Sequence, residues 1–164
     1  MMSLLKKLFK KEAELDPNTI YNPIQGKAIP LSEVKDPVFS QEMMGKGVGI
    51  VPEIGRVVSP LNGVVATVFP TKHAIGIQGE GGAELIIHVG LDTVNLQGQH
   101  FKAHVKEGAK IKRGDLLLEF DMEKIKEAGY DLTTPVVVPN SVDYEEVSVK
   151  LGTMNEKEEL IVLA

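Results

Sequence analysis

The chain of 164 residues contains no cysteine and no tryptophan, and only 5% of it is aromatic. Without cysteine, thiolate catalysis, disulfide staples and cysteine-ligated zinc are excluded. No apolar run approaches the ~20 residues a helix needs to span a bilayer. The beginning of the chain lacks the apolar segment and small-residue cleavage pattern of a secretory signal, so secretion is not expected. Basic charge is scarce as well. The formal net charge is −5, and Lys6, Lys7, Lys10 and Lys11 all precede the first acid, Glu12, so the remainder is more acidic still. That balance argues against a general nucleic-acid binder.

What the sequence does have is punctuation. Its 16 glycines and 9 prolines interrupt a chain that is 43% hydrophobic, and the apolar segments they leave are brief: residues 24–29, 48–51, 64–69, 74–77, 85–89, 116–120, 136–138, 147–151 and 160–163. Short apolar runs with turn signals between them predict strands. The expected fold is all-β, a single-domain sandwich or barrel of short, mostly antiparallel strands. Only 122–128, closed by Gly129, reads as an internal helical turn. Residues 1–18 are expected to form a tail and linker, and 19–164 the folded domain. In the tail, Met1, Leu4, Leu5, Leu8 and Phe9 fall at helical spacing opposite the four lysines. Such a stretch is expected either to lie on an anionic membrane surface or to fray in water.

Two strand-like runs, 71–78 and 83–92, flank the glycine-rich turn Gly79-Glu80-Gly81-Gly82. A hairpin symmetric about Glu80 and Gly81 sets His73 directly across from His88, with Cβ atoms about 4.5–5.5 Å apart. Phe69, Thr71, Ile75, Ile86, Gly90 and Asp92 then share their face, while Ala74, Leu85, Ile87 and Val89 face the core. An odd-length loop would instead turn one ring inward. Two adjacent histidines suit acid–base chemistry, phosphoryl carriage or zinc. A catalytic zinc needs a third protein ligand, for which His100, His104 and Asp92 are candidates. His100 and His104 read as exposed surface residues. Asp92, on a straight strand, falls more than about 10 Å from His88.

The segment Gly82-Ala83-Glu84-Leu85-Ile86-Ile87-His88-Val89-Gly90-Leu91-Asp92-Thr93-Val94 resembles the active-site signature of glucose-type enzyme IIA proteins of the bacterial sugar phosphotransferase system. The similarity runs from about Ile20 to the C-terminus and includes Asp36-Pro37-Val38-Phe39, Thr71-Lys72-His73-Ala74 and 132–137. The resemblance implies a β-sandwich in which His88 accepts a phosphoryl group, His73 stabilises it and Thr71 orients His73. It implies the phosphocarrier protein HPr as donor and a cysteine on the IIB domain of a sugar permease as acceptor; regulatory target proteins are further candidate partners, a role that can coexist with carriage. Met43 and Met44 stand where the family often has aliphatic residues, and Ile86 where some members have phenylalanine, which puts partner preference in question.

A phosphohistidine carrier needs a neutral imidazole with one nitrogen tied and the other free. The free atom is assigned to Nε2, with Nδ1–H donating to a backbone carbonyl near Gly90. No cofactor and no metal is required, though His73 and His88 leave room for an adventitious or partner-shared zinc. Protein partners call for a shallow apolar depression. Val38, Phe39, Met43, Met44, Phe69 and Ile86, with Asp92, are its expected lining, and each of the apolar six reads equally well as ordinary core. The expected location is the cytoplasm, acting in trans, with residues 1–11 touching the inner face of the membrane. A biotinyl- or lipoyl-type carrier is a rival, suggested by Val105, Gly108, Ile111, Gly114 and Asp115. Its modifiable lysine should project from a hairpin tip, and Lys124 fits only superficially. A zinc hydrolase and a purely regulatory binding module are the other rivals.

Overall fold

A computed structural model describes residues 15–164; the lysine-rich stretch of the tail lies outside the described residues. Within them the chain forms β1 (Thr19–Tyr21), β2 (Gly26–Pro30), β3 (Lys46–Pro52), β4 (Arg56–Val58), β5 (Gly63–Val68), β6 (Ala74–Gly79) and β7 (Glu84–His88). The second half adds β8 (Phe101–Ala103), β9 (Lys110–Ile111), β10 (Leu116–Phe120), β11 (Thr134–Val138), β12 (Val147–Val149), β13 (Gly152–Met154) and β14 (Glu159–Leu163). All described pairings are antiparallel. Eight strands make one sheet in the order β13-β2-β3-β11-β7-β6-β5-β9, and two three-stranded sheets, β1-β14-β12 and β4-β10-β8, complete the fold. The predicted all-β class holds.

The sheets close around one core in which Ile20, Ile50, Ile75, Ile77, Leu85, Ile87, Leu117, Leu118 and Leu160 are almost wholly buried. These are β-branched and aliphatic residues on short strands, alternating at Ile75 and Ile77 and at Leu85 and Ile87 and consecutive at Leu117 and Leu118, the residue types that suit a pleated surface packed on a core. The predicted helical turn is α2 (Met122–Glu127), capped by the Asp121 carboxylate accepting from the Lys124 amide at 3.1 Å and followed by Gly129 at φ +93°. It is not the only helical segment. A four-residue α1 (Pro37–Ser40) and three 3₁₀ turns, Leu31–Glu33, Thr93–Leu96 and Ser141–Asp143, also form. Asp36-Pro37 supplies an N-cap and a proline at the first helical position, yet one turn is too short to show periodicity.

The β6–β7 register differs by one residue from the symmetric expectation. Ala74, not His73, stands opposite His88, and Ile75 pairs with Ile87, Gly76 with Ile86 and Ile77 with Leu85. The loop is odd: Gly79 donates to the Ala83 carbonyl at 2.8 Å, leaving Glu80, Gly81 and Gly82 as a three-residue turn with Gly82 at φ +96°. Three-residue hairpins ending in a left-handed residue are a standard alternative to even loops. The slip inverts β6 alone, so Ile75 joins the core, fully buried, instead of sharing a face with His88.

Candidate functional site

His88 is the last residue of β7, and the chain turns sharply after it, with Gly90 at φ +79° and Asp92 at φ +59°. His73 lies one residue before β6, in the tight β5–β6 connection. There the Lys72 amide donates to the Phe69 carbonyl at 2.7 Å, the Phe69 amide donates to the Ala74 carbonyl at 3.1 Å, and Lys72 adopts φ +57°. Because His73 stands outside the strand, pleat alternation does not fix its side chain. Its carbonyl accepts from the Val89 amide at 2.7 Å, and its ring turns edge-on to His88 with centroids 4.7 Å apart. The two rings therefore meet, but through a diagonal approach at the end of the ladder rather than by direct opposition.

Each ring has one nitrogen tied. His88 Nδ1 lies 2.8 Å from the Gly90 carbonyl oxygen, so this nitrogen carries the proton and Nε2 keeps its lone pair. Thr71 Oγ1 lies 2.6 Å from His73 Nδ1. The rings are also boxed by aromatics, Phe39 5.0 Å from His88 and Phe69 5.6 Å from His73 between centroids. His73 is only 2% exposed, whereas His88 is half-buried. Burial disfavours the charged imidazolium. It pushes His73 down to about 4, with the neighbouring His88 adding to the effect. Burial also lowers His88, against the opposing pull of the Gly90 carbonyl and of the Asp36 and Asp92 carboxylates. Both rings are thus neutral at pH 7.

Phe39 reaches His88 because the Asp36 carboxylate accepts from the Val38 amide at 3.0 Å and starts α1. Phe39, Leu31, Val34, Leu91 and Val137 form a small second cluster, against which Met44 and Ile86 pack. Of the six apolar residues expected to line the docking face, Val38 and Met43 are exposed, at 41% and 69%, Phe39 is buried, and Met44, Phe69 and Ile86 are half-buried. Asp92 does not continue a straight strand. The left-handed Gly90 folds the chain back and brings its carboxylate within electrostatic reach of His88. Asp36 acts on the same ring, a role the sequence reading missed although its Asp-Pro capping signal was legible.

The second histidine pair is elsewhere. His104 is exposed, with Nε2 2.6 Å from Glu119 Oε1, and His100 is half-buried rather than exposed. Among the described residues no group of three or more His, Cys, Asp or Glu side chains could hold a metal ion. Lys124 lies within α2 rather than at a hairpin tip, which removes the structural basis for a biotinyl or lipoyl carrier. No helix among the described residues is long and apolar enough to cross a membrane.

Comparison with known proteins accords with this geometry. The family model described as "phosphoenolpyruvate-dependent sugar phosphotransferase system, EIIA 1" matches residues 18–144. A glucose-specific EIIA component from Oceanobacillus iheyensis is 50% identical over 145 residues, covering 88% of each chain. A beta-glucoside-specific EIIBCA component from Bacillus subtilis is 56% identical over 146 residues, which are 88% of this chain and 24% of that longer protein. Among solved structures, glucose permease IIA from Mycoplasma capricolum matches with a TM-score of 0.80 at 33% identity, over 88% of this chain and 94% of that one. The chain belongs to the EIIA 1 family of the phosphoenolpyruvate-dependent sugar phosphotransferase system, a glucose-type phosphocarrier of sugar transport.

Proposed function

We propose that His88 Nε2 takes a phosphoryl group from the phosphohistidine of HPr and passes it to a cysteine of a sugar-permease IIB domain. The observation that carries this reading is the Nδ1 contact of His88 with Gly90 at 2.8 Å, made by a ring that burial keeps neutral. In the first step the Nε2 lone pair attacks phosphorus as the bond from phosphorus to the donor imidazole breaks, and the donor nitrogen leaves with the electron pair. In the second, a thiolate sulfur attacks phosphorus and His88 leaves with its pair. No cofactor is consumed.

The surroundings suit a loose transition state whose charge spreads over three oxygens. If Thr71 Oγ–H donates to His73 Nδ1, the neutral His73 ring holds its proton on Nε2 and offers it to a phosphoryl oxygen. Val38, Phe39, Met43, Met44, Phe69 and Ile86 form the apolar rim on which partners dock. Asp36 and Asp92 beside it favour partners with basic groups around their reacting residue. A IIB partner agrees with the beta-glucoside-specific EIIBCA component of Bacillus subtilis, whose name joins B, C and A components. The same face can serve regulatory partners. The folded unit is proposed as 19–164, with β1 pairing to the C-terminal strand through Thr19 and Val162. It works in the cytoplasm; the expected membrane contact of residues 1–11 lies outside the described residues.

Mixing the protein with phosphoenolpyruvate and the general phosphotransferase proteins should add one acid-labile phosphoryl group, read by mass. His88→Ala should prevent it, and His73→Gln should accept the group but pass it on slowly. Labelling retained in His88→Ala and lost in His73→Gln reverses the assignment.

A further inference from the structure

The turn that follows β7 does one thing the signature histidine cannot do for itself: it aims the Gly90 carbonyl. A peptide carbonyl can swing unless the peptide units on both sides are held, and here both are. On the far side, the Leu91 amide, which shares a peptide plane with the Gly90 carbonyl, donates to the Asp131 carbonyl at 2.9 Å. On the near side, the Val89 carbonyl, which precedes Gly90, accepts from the hydroxyl of Thr93. Thr93 is fully buried. Its methyl group occupies the space beside Gly90, since a Cβ built on Gly90 would lie 2.5 Å from Thr93 Cγ2 and 3.0 Å from the Asp131 carbonyl oxygen.

We infer that Thr93 is a positioning residue: by holding the Val89–Gly90 peptide through its hydroxyl and seating Gly90 through its methyl, it fixes the proton of His88 on Nδ1 and leaves Nε2 free. Free imidazole exchanges its proton between the two nitrogens, so a tautomer is set only by the partner that is offered. A carbonyl whose own peptide N–H is already engaged, as that of Leu91 is, is also the better acceptor, because hydrogen bonds in series polarise one another. Thr93 does not touch the transferred group. Its influence reaches His88 through two backbone units, and it differs in this from Thr71, whose hydroxyl meets the neighbouring imidazole directly.

The consequence for transfer rate rests on His88 being the carrier, but the tautomer does not, and the test separates them. Imidazole ¹⁵N shifts of the unphosphorylated protein report which nitrogen of His88 is protonated. Thr93→Val keeps the methyl and removes the hydroxyl. It should move a measurable share of the proton to Nε2 and slow phosphoryl acceptance about tenfold, within the range that outer partners of an essential histidine command at metal sites. Thr93→Ser restores the hydroxyl and should recover the Nδ1–H form. A folded Thr93→Val whose His88 remains wholly Nδ1-protonated, or a Thr93→Ser as altered as Thr93→Val, overturns the inference. If Thr93→Val does not fold, the wild-type protein decides: the Thr93 hydroxyl proton should be protected from solvent exchange, and free exchange overturns the proposal. A shifted tautomer in a protein that never accepts phosphoryl from HPr leaves the positioning role standing and removes the carrier reading.

Discussion

The chain holds two pairs of histidines, and only one has the makings of a reactive centre. His88 ends one strand of the large sheet and His73 sits in the turn just before the neighbouring strand, and the two meet edge-on; each has a fixed partner for Nδ1, and burial keeps both uncharged. His100 and His104 are neighbours in sequence at helical spacing, yet the backbone between them enters β8, and His104 pairs on the surface with Glu119. Residue type and proximity in sequence are therefore poor guides to chemistry. What sets the first pair apart is that the fold takes water from the rings and gives each Nδ1 a fixed partner, the Gly90 carbonyl for His88 and the Thr71 hydroxyl for His73.

The sharpest way to break that contrast is to remove the histidines one at a time. His88→Ala should lose all phosphoryl labelling, while His100→Ala and His104→Ala should accept the group at wild-type rates in the same assay. A comparable loss from either surface variant would show that the first pair is not the whole site. The next effect concerns orientation. Thr71→Val removes the hydroxyl that lies 2.6 Å from His73 Nδ1 while preserving shape, so labelling should persist and onward transfer should slow by about tenfold, a fraction of what a positioned acid–base group contributes. Unchanged transfer would mean His73 is held by packing alone.

The strand pattern and the turns were legible in sequence because each rests on local signals: glycine at left-handed turns, apolar residues at alternate positions, Asp121 at a helix start. The register was not, and the meeting of the two histidines was expected through one that does not form. Gly79-Glu80-Gly81-Gly82 accommodates a two- or a three-residue loop, and four small or polar residues give no apolar pattern to choose between them. The exchange of Ala74 for His73 opposite His88 follows from that ambiguity. Asp36 was missed, and Asp92 placed too far away, for a related reason: their approach to His88 depends on turns at Pro37 and Gly90 that redirect the chain over a few residues. Thr93 was visible only as part of a motif, since its partner is a backbone carbonyl four residues earlier.

The neutrality of the buried pair makes a thermodynamic prediction of its own. A histidine whose value is lower in the folded protein than in the unfolded chain binds protons preferentially when unfolded, so its contribution to stability is complete above the unfolded value and is lost as pH falls. For His73 the window runs from 6.5 down to about 4. At ~1.4 kcal/mol for each pH unit of separation, the loss across it is of order 3 kcal/mol. Denaturant midpoints of the wild type should fall across this range, and His73→Gln, which carries no titrating ring, should flatten the profile whatever its effect at pH 7. A parallel decline in both proteins would assign the pH dependence to other groups.

The smallest effect lies at the surface pair, and it tests the comparison from the opposite side. His104 and Glu119 approach within 2.6 Å, but the Glu119 side chain is 51% exposed and the His104 side chain 24%. Water and salt screen such a contact, and exposed pairs contribute between nothing and about 1 kcal/mol. Glu119→Gln should therefore shift the unfolding free energy by less than about 1 kcal/mol, with the difference shrinking further in high salt and phosphoryl acceptance by His88 unaltered. Glu119 lies on β10 between Lys102 of β8 and Arg56 of β4 in the cross-strand register, so the substitution also removes a negative charge from between two positive ones. A loss several times larger than that of an exposed pair would identify this three-strand charge ladder, rather than the histidine contact, as what the second region contributes to the fold.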